Sequence, residues 1–114
     1  MKKKNKKTGI ELIAEERKRQ IEVEGYSEQH DSQHKTSEFV YAAIAYAESA
    51  KAGINSNELH KPLTELEILT RKLDKAWLYP WGEDSFKPST NIRDLVKAGA
   101  LIAAAIDRLQ MKKE

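Results

Sequence analysis

Arg17, Gln20 and Glu24 recur at helical spacing, and His30 and Asp31 follow a few residues later. Turning about 100° per residue from Ile10, the positions Ile10, Ile13, Ala14, Arg17, Ile21 and Glu24 fall in one narrow sector, with Gln20 at its edge. A stripe that opens with isoleucines and ends in an arginine and a glutamate must pair, ligate or solvate those charges. Desolvating them alone costs several kcal/mol. Arg17 and Glu24 stand two turns apart, so one ligand can touch both. A guanidinium there suits a phosphate or a carboxylate, and Glu24 with Asp31 suits a hard divalent cation such as Mg²⁺. The same residues can instead form a buried Arg–Glu network that ties the first helix to the linker and the last helix.

Two further groups carry chemistry of their own. His30-Asp31-Ser32-Gln33-His34 has zinc-ligand spacing only if it is helical, and it lacks a third ligand. It reads better as a polar linker with capping partners. Trp77, Tyr79, Trp81 and Phe86, with Lys87 beside them, can stack a base and hold a phosphate, or plug the end of a helical bundle as an apolar lid. Asp107, at the edge of an apolar sector, is another candidate metal ligand. The chain has no cysteine, no glycine-rich phosphate loop and no serine or histidine arrangement that reads as a nucleophile. Carboxylates are therefore the catalytic candidates, and metal-assisted hydrolysis is the chemistry they suit. On this reading Glu24 and Asp31 are catalytic. Arg17, Gln20, Trp81 and Lys87 hold the substrate, and Glu24, Asp31 and Asp107 hold the metal.

The elements that must position these residues are helical. Thr8-Gly9-Ile10-Glu11 is a capping box that opens a first helix, and Gly25 suits its end. A polar linker, Tyr26 to Lys35, leads to a second helix over about Glu38 to Lys51. One of its faces carries Phe39, Ala42, Ala43, Tyr46 and Ala50, while Val40, Ile44 and Ala47 lie to one side. Pro62 fits the first turn of a third helix, with a stripe of Leu63, Leu66, Leu69, Thr70, Leu73 and Trp77. After the aromatic loop Tyr79 to Pro88, a last helix spans about Ile92 to Met111. Its centre, Ala98 to Ile106, is apolar all round, which marks it as the most buried helix. No segment alternates like a strand. The fold expected is all-α, a four-helix bundle.

With 114 residues, 39% of them apolar and 33% charged, the chain has room for one helical domain over residues 8–114. Five lysines crowd residues 1–7, a basic tail expected to be disordered. Setting them aside turns the formal +2 into a body of about −3, with fifteen basic residues against eighteen acidic. Such a body has no basic face for specific nucleic-acid binding. No apolar run approaches the ~20 residues that span a bilayer, so no membrane partner is expected, and a cytoplasmic setting is. Small alanine-rich helices bury limited area, and helix two is apolar on two sides. A homodimer packed through helix two or the last helix is expected.

Glu16-Arg17-x-Arg19-Gln20-x-x-x-Glu24-Gly25-Tyr26, His30-Asp31, Ala42-Ala43, Tyr46-Ala47, Pro80-Trp81, Lys87-Pro88 and Arg93 to Ile102 together resemble a family of small helical proteins common in phages and prophages. That family is distantly similar to the MazG-type all-α nucleoside triphosphate pyrophosphohydrolases. The resemblance implies an Mg²⁺-dependent enzyme that cleaves nucleotides to monophosphate and pyrophosphate, or a nucleotide-binding relative of one. Two positions depart from the MazG pattern. Arg19 stands where a third acid is expected after Glu15-Glu16, and Ala104-Ala105 precede Asp107 where a glutamate is expected. A non-enzymatic helical interaction protein is the alternative.

Overall fold

The computed structural model describes residues 6–23, 35–55, 63–75 and 78–111. Among them the fold is all-α, with no strand. The described elements are four helices, α1 (Gly9–Glu22), α2 (Thr36–Asn55), α3 (Glu65–Lys75) and α5 (Asn91–Met111), and one helical turn, α4 (Gly82–Ser85), between α3 and α5.

The capping box expected at the start of α1 is present. Thr8 accepts from the Glu11 amide, and the Glu11 side chain accepts from the Thr8 amide. Together these satisfy two backbone donors that a helix start otherwise leaves unmet. The helix closes at Val23, before Gly25. The same device opens α3, where Thr64 and Glu67 exchange backbone and side-chain bonds. Pro62, Gly25 and the linker residues Tyr26 to His34 lie outside the described residues. Helix α2 runs further in both directions than the expected Glu38 to Lys51, and the aromatic loop contains the turn α4.

α2 and α5 form the centre, with α1 laid on α5 and α3 against α2. Alanines make this possible. Ala42, Ala43, Ala45 and Ala50 of α2 and Ala98, Ala100, Ala104 and Ala105 of α5 are buried, and they keep the two backbones close. Phe39, Tyr46 and Leu101 fill the space between, and Leu78, Tyr79 and Phe86 close the end of the core. Two glycines permit approaches that a β-carbon would block. A Cβ on Gly53 would lie 1.9 Å from the Asn91 Oδ1, and one on Gly99 would lie 2.5 Å from the Ile13 Cδ1.

Three expected faces are corrected. On α1 the buried residues are Glu16 and Gln20, whereas Ile10 is 81% exposed, Ala14 and Ile21 are exposed and Arg17 is half-buried. The turn toward α5 is set by Glu16, whose partner Arg93 sits there, while Ile13 covers Gly99. On α3, Leu66, Leu69 and Leu73 point outward, and the half-buried side carries Ile68, Arg71 and Lys72. A buried acid explains that inversion. Asp94 of α5 is sealed from water and accepts from the Ser49 hydroxyl (2.9 Å) and the Ser89 amide (2.8 Å). Arg71 reaches in from α3 to donate to the Ser49 carbonyl at 2.7 Å, with Asp94 at 4.0 Å. Finally, α5 is buried on one side only. Ile102 and Ile106 are exposed, so the helix is not the all-round core element that its apolar centre implies.

Candidate functional site

The α1 residues that face α5 build a polar cluster in the interior. Glu16, with 1% of its side chain exposed, accepts from the Arg19 Nε at 2.8 Å and from the Arg19 Nη2 at 2.9 Å. The spacing of three residues on one helix lets the guanidinium fork grip both carboxylate oxygens. Arg93 of α5 also donates to Glu16 through Nη2, and the Gln20 Nε2 does so at 3.3 Å. Burial by itself would raise the Glu16 pKa. The hydrogen bonds from Arg19 and the charges of Arg93 and Arg19 outweigh it and hold the carboxyl below its usual range.

Beside this cluster lies a pocket of about 40 Å³ lined by Glu16, Arg19, Gln20, Lys87, Lys97 and Tyr46 among others. That is room for a few waters or one tetrahedral oxyanion. Its aromatic wall is rigid. Tyr79 stacks on Phe86 at 4.8 Å, Tyr46 packs on Phe86 at 4.9 Å, and the Tyr79 hydroxyl donates to the Ser85 carbonyl at 3.0 Å. The Tyr46 hydroxyl accepts from the Lys87 amide at 2.9 Å. Lys97 extends over the Tyr46 ring, 5.3 Å from its centroid, and donates to the Lys87 carbonyl at 2.7 Å. Burial pushes the Lys97 pKa below the usual 10.5, and the positive charge of Arg93 adds to that, against the pull of Asp94. Such an ammonium is held short of water and gains from an anion brought next to it.

Of the residues singled out from sequence, Gln20 and Lys87 line this pocket. Arg17 does not. It is half-buried on another side of α1, with Nε 3.7 Å from the Asp107 carboxylate. Trp81 caps the core edge, packed against Phe39 at 5.0 Å and donating from Nε1 to Glu38 at 3.0 Å. Glu24, Asp31, His30, His34 and Trp77 lie outside the described residues. Among the described residues no three His, Cys, Asp or Glu side chains gather as metal ligands. Asp107, the one described member of the expected set, is exposed, with its carboxylate 3.7 Å from the Arg17 Nε.

Sequence reasoning missed Glu16, Arg19, Arg93 and Lys97. Part of the signal was at hand. Glu16, Arg19 and Gln20 are separated by three and four residues, the spacing that brings side chains together on a helix. Their partners on α5 come from 77 residues away, as with Glu16 and Arg93. No protein-family model, curated protein or solved structure matches the chain.

Proposed function

We propose that this protein binds a small phosphorylated ligand, of the nucleotide class, at the pocket between α1 and α5. One observation carries the reading. Arg19, Lys87 and Lys97 line a pocket whose only described carboxylate, Glu16, is already bonded by two guanidiniums. The surplus is positive in a body that is otherwise acidic, and lysine and arginine are the usual partners of phosphate oxygens. The pocket holds a phosphate, while the sugar and base of a nucleotide would lie outside it.

Calorimetric titration with nucleoside mono- and triphosphates tests this, with and without Mg²⁺. Binding that Lys97→Met weakens by roughly tenfold, the worth of one good charge-assisted bond, is the expected result. No heat and no rise in melting temperature with any nucleotide would overturn it. Mg²⁺-dependent hydrolysis is the stronger form of the same reading, and release of pyrophosphate from the triphosphates would establish it.

A second reading, a helical interaction protein that pairs with its own copy, rests on a different feature. Ile92, Leu95, Ile102, Ile106 and Leu109 follow the three-and-four spacing of one face of α5, interrupted at Gly99, which Ile13 of α1 covers. The five large ones are between 44% and 60% exposed. This is the period of a coiled-coil seam, whose partner of matching geometry is another such seam. Of the positions that flank it, Val96, Ala98 and Ala105 are buried in the chain's own fold and Ala103 is half-buried, so no charge stands at these flanks against a second copy.

A further inference from the structure

We propose that Gln20 makes the pocket select a protonated phosphate group over a fully ionised tetrahedral anion. The inference rests on the anion-binding reading above and adds what that anion must carry. Gln20 is 3% exposed and lines the pocket. Its Nε2 donates to Glu16, and its Oε1 is buried with no hydrogen-bond partner among the described residues.

The amide cannot be turned over to cure this. Exchanging its ends would set the carbonyl oxygen against the Glu16 carboxylate, which only accepts. What remains is an unmet, covered acceptor on a residue of the pocket wall. Cations draw in an anion, and an acceptor repels any anion that has no hydrogen to give.

A phosphate monoester resolves the conflict. Its second proton leaves near pH 6, so about that pH it carries a P–OH beside its charged oxygens. The hydroxyl donates to the Gln20 Oε1 while the other oxygens accept from Lys97 and the rim. The terminal torsion of a glutamine is broad, so the oxygen can follow a donor that enters. Sulfate has the same shape and offers acceptors alone. Among the described residues, the charged and titratable groups around the pocket are Glu16 and Arg19 of α1, Arg93 and Lys97 of α5 with Asp94 acting on Lys97 from behind, Lys87 of the segment before it, and the Tyr46 and Tyr79 phenols. The cations among them favour the doubly charged sulfate over singly charged phosphate at the lower pH, so a preference for phosphate there runs against charge and isolates the donor.

The test is calorimetric titration of the full chain with inorganic phosphate, glycerol phosphate and sulfate at constant ionic strength, at about pH 5.5 and about pH 8. Phosphate or its ester should bind at least roughly tenfold more tightly than sulfate at the lower pH; at the higher pH the ester's ratio should shrink as its last proton leaves, whereas inorganic phosphate, which still keeps one P–OH there, should hold its preference. The tighter of the two phosphates identifies free oxyanion or ester as the natural source. Gln20→Met keeps the shape and removes the acceptor, and it should bring the ratio to one or below at the lower pH. Equal binding of sulfate and phosphate by the wild-type chain at the lower pH overturns the selection and leaves the anion pocket standing. Binding of neither overturns both. The wild-type ratio decides the matter even if the variant fails to fold.

Discussion

A carboxylate sealed between two guanidiniums leaves them facing each other when its charge is removed. Glu16→Gln should therefore lower unfolding stability by about 2–4 kcal/mol in urea titrations at neutral pH. The pH dependence has a definite sign. The Glu16 pKa is held below the usual 4.5 in the folded chain, so its contribution is present above that value and fades as the pH falls through the folded pKa. The gap between wild type and Glu16→Gln should close in acid. Asp94 works the other way, because burial raises its pKa above the usual 3.8 and the fold favours its protonated form. The difference between the two proteins, rather than either curve alone, reports Glu16. Lys97 has the opposite bearing on stability. Its charged form is disfavoured by burial, so Lys97→Met should raise the melting temperature at neutral pH while it weakens anion binding, the trade expected of a functional charge. From sequence, the turn of α1 that meets α5 was located but its centre fell on Arg17. Adjacent positions on a helix differ by about 100°, and which of Glu16 and Arg17 turns inward is decided by Arg93, far along the chain.

At the scale of the helices, small residues decide how near the elements come. An alanine at Gly53 would gain helix propensity, about 1 kcal/mol, but its Cβ would intrude on the buried Asn91 side chain. Gly53→Ala should destabilise by about 1–2 kcal/mol net, read as a lowered midpoint in thermal unfolding. Gly99→Ala should cost less, since its Cβ meets the flexible end of Ile13. The buried face of α2 was legible in advance, because Phe39, Ala42, Ala43, Tyr46 and Ala50 share one side at helical spacing and all are buried. The orientation of α3 was not. Leu66, Leu69 and Leu73 announce that the helix is amphipathic, but an apolar stripe does not say whether its cover comes from the same chain. The inward Arg71 answers to Asp94, an acid whose burial no local pattern reveals.

For the molecule as a whole, the exposed seam on α5 and the leucines of α3 are more apolar surface than a lone small domain usually shows. If the seam pairs two copies, light scattering at micromolar concentration should give a mass near 26 kDa, twice the 13.0 kDa chain. Ile102→Glu with Ile106→Glu should return the single-chain mass without loss of helix. A single-chain mass for the wild type at every concentration rules the pairing out. The Arg71 bond to Ser49 has one more consequence, for how the fold comes apart. α3 meets the rest of the described structure through few contacts, and its best-buried polar reach is that one side chain. Its backbone should therefore open and reclose many times for each global unfolding, and its amides should trade hydrogen for deuterium well before those of α2 and α5. Arg71→Met should hasten that exchange in α3 and leave the two central helices at their former rates.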